Sequence, residues 1–396
     1  MKSLVRSLPL LALAACAGAP PGSAPPPPAA AMAPAAQESG AFVVRLGRDT
    51  LAVEQYTRSP GRIEGTLVSR APRTLSRAYA AELGPDGSVT RFTVTNRVLS
   101  DPALLPQEVT VAFAADSADV RIQRGDTVRT LRAPRGDALP WISNSYALLE
   151  NALRHARADS VSLGLYSPGG RALTPHAFRR FGADSVLVTN TPGTSRLQVD
   201  ARGRILSARS HPTSTFKVEA DRVPAVDVAA LGAAFAARDR AGQGLGTLSP
   251  RDSITVAVGT AAVTVAYGRP SRRGRTILGG VVPFGQVWRT GANEATRFAT
   301  TRDLMFGGTH VPAGQYSLWT LPGPDGWQLI INRNTGQWGT DYRPDQDLVR
   351  IPARAVPSRG NVEQLTIRVA PLTQGAGGNL VVAWDDFEVV APFTVM

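Results

Sequence analysis

The chain has 396 residues, 43% hydrophobic and 19% charged, with 43 Lys+Arg against 31 Asp+Glu, a formal charge of +12 and a single Cys. One cysteine excludes a disulfide scaffold and a zinc site built on two thiolates. No apolar run reaches the roughly 20 residues of a transmembrane helix, which argues against a polytopic helical membrane protein. The positive charge does not read as a nucleic-acid surface. Lys2 and Lys217 are the only lysines, and the arginines lie mostly singly, without basic stripes and interleaved aromatics.

Residues 1–15 combine a positive start (Lys2, Arg6), a short apolar stretch (Leu8 to Ala15) and small residues at the end, the chemistry of a secretory signal. Leu13-Ala14-Ala15-Cys16 resembles a bacterial lipobox. The resemblance implies cleavage before Cys16 and acylation of its thiol. Ala17, in place of the Asp that often marks inner-membrane retention, implies an outer-membrane anchor. Loss of Lys2 and Arg6 would lower the charge by two, from +12 to +10. Residues 16–40 are the anchor and a Pro/Ala-rich tether, too poor in bulky apolar side chains to build a core.

From Ala41 the pattern changes to short alternating runs, as in Phe42, Val44 and Leu46. Turn signals at Gly84-Pro85-Asp86-Gly87, Gly125-Asp126 and Asp200-Ala201-Arg202-Gly203 predict hairpins. Arg124-Gly125-Asp126 reads as such a turn and not as an adhesion motif. Two segments have helical spacing: Trp141 to Arg157, with Ile142, Tyr146, Leu149 and Leu153 on one face, and Val226 to Arg240, with Val228, Leu231 and Phe235. Residues 41–241 are thus expected to form an antiparallel sheet with one or two helices.

Residues 242–250 read as a linker. Gly242-Gln243-Gly244-Leu245-Gly246 follows a helix and precedes a strand, the reverse of a dinucleotide fingerprint. Residues 251–396 are expected to be a β-sandwich or jelly-roll-like domain. Its strands are predicted at 254–258, 262–267, 296–301, 316–321, 327–332, 349–356, 362–369, 379–384 and 387–390. The whole chain is therefore mainly β.

Three segments of this region are specific: Tyr267 to Thr296, Gly307 to Gly323, and Trp327 to Tyr342. Together they closely resemble the bacterial family called domain of unknown function 2911. The resemblance covers about residues 250–396 and implies a β-rich domain that is often secreted or lipidated. It implies no activity.

Arg289, Asn293 and Glu294 share a polar loop after the turn Pro283-Phe284-Gly285. A guanidinium fork, an amide and a carboxylate, flanked by Trp288, Trp319 and Trp338, would suit a small polar or glycan ligand. The other reading is an internal Arg289–Glu294 ion pair with the tryptophans as core. Arg269, Arg272 and Arg275 lie on a Gly- and Pro-rich loop, which is either an anion site or solvated. Asp341, Asp345 and Asp347 do not match an EF-hand loop. His155, His176, His211 and His310 are far apart in sequence, and no nucleophile elbow is present. Glu294 with Asp385 or Asp386 is the one candidate carboxylate pair for glycan hydrolysis.

The expectation is an outer-membrane lipoprotein with a ligand-binding or structural role. It needs no cofactor or metal, binds no nucleic acid, and meets the membrane through Cys16. An envelope hydrolase and a lipid carrier built on the N-terminal sheet are the alternatives.

Overall fold

The computed structural model describes residues 37–396, apart from 171, 191, 192, 212, 213, 215, 324 and 325. The signal, the lipobox and residues 17–36 lie outside the described residues. The first strand begins at Glu38, so Glu38–Gly40, the end of the expected tether, are strand.

Eight strands follow one another as a meander: β1 (Glu38–Leu46), β2 (Asp49–Ser59), β3 (Arg62–Ser69), β4 (Leu75–Leu83), β5 (Val89–Val98), β6 (Gln107–Phe113), β7 (Ser117–Arg124) and β8 (Thr127–Pro134). The three expected hairpin turns form; Gly125, at φ 54°, occupies the left-handed backbone that a two-residue turn requires. The chain then enters α1 (Tyr146–His155) and returns as a second meander, β9 (Ser160–Tyr166), β10 (Leu173–Arg180), β11 (Ser185–Asn190), β12 (Gly193–Val199), β13 (Ile205–Ser210) and β14 (Val218–Val223). Antiparallel pairing of β1 with β14 joins the meanders into one 14-stranded sheet whose edges are β8 and β9.

This sheet curls around α1. Inward residues such as Phe42, Leu67, Phe92 and Phe178 share one buried cluster with Ala147, Leu148, Ala152 and Leu153 of the helix. The curl brings Tyr166 of β9 edge-on to Phe113 of β6, 5.8 Å between ring centroids. The second helix, α2 (Val228–Arg240), lies on the opposite, convex face, where Phe235 packs on Val53 and Val68.

Two buried carboxylates fix α1 inside the sheet. Glu54 of β2 is fully buried. Its Oε1 accepts from Ser145 Oγ at 2.5 Å and Tyr79 Oη at 2.7 Å, and its Oε2 from the Tyr146 and Ala147 amides at 2.8 and 3.1 Å. Those amides are orphan donors of the first helical turn, where a negative charge is also favoured by the helix dipole. Ser145 in turn accepts from the Leu148 amide. The helix therefore starts at Tyr146 and not at Trp141 as its apolar spacing predicts; Asn144, at φ 69°, breaks the pattern before the cap. Reciprocally, Glu150 of α1 pairs with Arg222 of β14 and accepts from Tyr56 of β2 and the Ile205 amide of β13.

The second region is a nine-stranded antiparallel sheet. It comprises β15 (Arg251–Val258), β16 (Ala261–Gly268), β17 (Thr296–Thr300), β18 (Leu304–Phe306), β19 (Thr309–Val311), β20 (Gly314–Pro322), β21 (Trp327–Asn332), β22 (Asp347–Pro371) and β23 (Gly377–Val395). The last two strands absorb the four expected ones between 349 and 390. Register shifts between Pro357 and Thr366 bend β22, so its two halves pair differently. The sheet thus folds over itself. Val263, Val265 and Tyr267 of β16 face Leu365 and Ile367 of β22 and Trp384 of β23 in one sandwich core, and the Tyr267 hydroxyl donates to the Ile367 carbonyl and accepts from its amide.

Glu54→Gln tests the helix anchor. All four partners donate, and an amide nitrogen cannot accept, so the substitution should cost on the order of 3 kcal/mol. Urea denaturation measures it; a stability within experimental error of the parent would show that α1 is held by apolar packing alone.

Candidate ligand-binding site

Between the two sheets lies a cavity of about 550 Å³. Its N-terminal wall includes Leu46, Ser143 and Phe216; residues 247–249 of the connection form part of its rim. The C-terminal wall carries Arg273, Arg275, Trp288, Arg289, Trp338 and Trp384. Trp288 stacks on Trp384 with centroids 5.9 Å apart, and Trp338 is 47% exposed.

The loop bearing Trp288 and Arg289 is held by backbone bonds. Trp288 and Thr320 of β20 exchange both amide hydrogen bonds. Thr290 donates to Thr320 Oγ1 and its carbonyl accepts from Thr296. The Asn293 carbonyl accepts from Arg289 Nη1 at 3.2 Å and from the Gly339 amide at 2.9 Å. Gly339 must be glycine here, because a Cβ would overlap the Arg289 side chain and lie 2.6 Å from the Asn293 carbonyl oxygen.

Trp288, Arg289, Asn293, Trp338 and Arg275 all reach this cavity, and the other expected site residues do not. Glu294 turns to the surface and pairs with Arg251, so the loop is not tied by an Arg289–Glu294 bridge. Trp319 is buried in a separate cluster with Ala295 and Ile330, because alternation along β20 sends it to the other face. Arg269 pairs with Asp252 and bonds the Leu365 carbonyl. Arg272 pairs with the buried Asp385. Asp347 bonds Tyr342, Asn332 and Arg350. No group of three or more His, Cys, Asp or Glu that could hold a metal ion occurs among the described residues.

Sequence reasoning missed Arg273, Trp384 and the N-terminal wall. Arg273 bridges the two regions: its Nη1 meets Asp49 at 2.6 Å, its Nη2 donates to the Leu245 carbonyl, and its own carbonyl accepts from the Arg48 amide. The signal was present in the dense run Arg269 to Arg275, but its partners Asp49 and Arg48 lie more than two hundred residues away in the chain.

The lining contains three arginines and no Asp or Glu. Asp49 neutralises Arg273. Arg275 gives its Nε and Nη2 to the carbonyls of Arg272 and Ser271, and no carboxylate touches it among the described residues. Burial, then the charge of Arg273, lowers Arg275 to about 10, and burial lowers Arg289 to about 10. Both stay protonated at neutral pH. Lys217, lowered by burial and by Arg275, adds to the positive field. Cations over apolar walls would attract an anion with an apolar body.

Residues 249–393 match the model of a family described as protein of unknown function (DUF2911). No curated protein matches the chain. Two solved structures are similar. One is a DUF1089 family protein of Pseudomonas aeruginosa, at 16% identity and TM-score 0.33, covering 41% of this chain and 90% of that one. The other is a β-barrel-like protein of domain of unknown function DUF1849 from Brucella abortus, at 8% identity and TM-score 0.32, covering 47% and 94%.

Arg273→Ala should loosen the junction. Limited trypsin digestion should then cut the 241–250 connection, at Arg240 or Arg251, severalfold faster than in the parent. Equal rates would show that Arg273 does not hold the two regions together.

Proposed function

We propose that this protein is a lipid-anchored envelope protein that binds a small organic anion with an apolar body in the cavity between its two β-regions. One observation carries the binding part: a cavity of about 550 Å³ whose walls join stacked tryptophans to arginines and contain no carboxylate. In such a setting an anion gains charge-assisted hydrogen bonds, and its body gains apolar burial. The anchor rests on the sequence of residues 1–16 and on the uniqueness of Cys16.

The alternatives draw less support. The carboxylates that would serve a hydrolase stand outside the cavity: Glu294 on Arg251, Asp385 on Arg272. No histidine lines it. For a carrier built on the N-terminal sheet, α1 and the inward side chains already fill most of the concave face.

Calorimetric titration with 2-naphthoate, an aromatic carboxylate, tests the site. Arg275→Gln should weaken binding about tenfold or more, the loss of one charged hydrogen bond. Trp338→Ala should weaken it less. Unchanged affinity in both variants would reject the site. For the anchor, Cys16→Ser should abolish incorporation of labelled palmitate in cells; persistent labelling would refute it.

A further inference from the structure

A second cavity, of about 460 Å³, opens at one end of the curled N-terminal sheet. Its floor is a feature only strand register reveals. Arg77 of β4 pairs with Asn96 of β5, Asn96 with Gln107 of β6, and Gln107 with Arg124 of β7. These four side chains form one cross-strand row, and all four line the cavity. At about 4.8 Å between strands, the row spans about 14 Å.

The row lies on the inward face. Two residues deeper along each strand, the next row is Tyr79, Val94, Val109 and Ile122, which belongs to the apolar core. Continued apolar alternation would have extended that core to the sheet end. Instead the alternation is broken by two guanidinium groups and two amides, and resumes only with Leu75 and Val98 at the sheet end. Arg77 donates Nη1 to Ser69 Oγ at 2.9 Å, and no other hydrogen bond to its side chain occurs among the described residues. The side chains of Asn96, Gln107 and Arg124 have no hydrogen-bond partner among the described residues. No Asp or Glu lines the cavity. The cavity is also lined by Trp141, Ile142 and the half-exposed Leu104 and Leu105. Leu105 packs against Gly125 in the β7–β8 turn.

We propose that this row is a second binding site, distinct from the interdomain cavity, and that it takes an acidic sugar: a carboxylate on a polyhydroxylated ring. Arg77 and Arg124 supply the donor forks that a carboxylate accepts. Asn96 and Gln107 each offer a donor and an acceptor between them, which hydroxyl groups need and a bare carboxylate does not. Trp141 and the leucines give the ring an apolar wall. The absence of a counter-charge also shows in Arg77 itself, whose pKa burial lowers with no carboxylate opposing it.

Calorimetric titration of the full mature chain with trigalacturonate tests this, with maltotriose as the neutral sugar and acetate as an anion with neither hydroxyls nor an apolar body. Trigalacturonate should bind, and maltotriose and acetate should bind at least about tenfold more weakly. Arg77→Gln should weaken trigalacturonate about tenfold or more. Gln107→Ala should also weaken it and guards against a folding defect in the first variant. Circular dichroism and the thermal midpoint check both. No binding of trigalacturonate, equal affinity for maltotriose or acetate, or unchanged affinity in both folded variants would overturn the proposal.

Discussion

Reciprocal burial of two carboxylates organises the N-terminal region. A sheet of fourteen strands needs something to curl around, and α1 supplies it. Glu54 reaches from the sheet to the helix start, and Glu150 reaches from the helix to three strands. Neither charge is left alone. Glu54 is satisfied by four donors, and Arg222, which pairs with Glu150, lies over the Phe42 ring at 4.7 Å. Burial still raises the pKa of Glu54. Its protonation therefore favours the folded state. As pH rises from the ordinary carboxylate range through its folded value, its contribution to stability declines. The hydrogen bonds limit that loss without abolishing it.

Fixing α1 fixes the segment before it. Residues 141–145 run between Arg77's cavity and the interdomain cavity, and Ser143 lines both. On the other side Arg273 binds Asp49 and the connection, so the wall that β1 and β2 offer is set against the second sheet. The two candidate sites thus share a scaffold but differ in character. The cavity between the two sheets is lined mostly by apolar groups, with three arginines among them. The row in the first sheet is polar and regular.

Much of the architecture was legible because alternation and turns are local. The hairpins at Gly84–Gly87, Gly125-Asp126 and Asp200–Gly203, both helices and the sandwich strands follow from residues within ten positions of each other. The start of α1 did not, because Trp141 and Ile142 have helical spacing while the cap is set by Glu54, ninety residues earlier. The site was half legible. Trp288, Arg289, Asn293 and Trp338 share a loop cluster that sequence singles out. Glu294 and Trp319 sit in the same segments yet face elsewhere, since one residue along a strand reverses its side. Arg273's role and the Arg77–Arg124 row depend on which distant segments meet and in which register, and neither is written in a single stretch of chain.

The cavity between the two sheets stands as a ligand site on its stacked tryptophans and its arginines. Its most direct test is a nitrogen-15 NMR titration of the six tryptophan indoles with 2-naphthoate. The signals of Trp288, Trp338 and Trp384 should shift together and saturate, while those of Trp319 and Trp327, buried elsewhere in the second sheet, should stay in place. A saturating shift confined to Trp141, or no saturating shift at all, would contradict it.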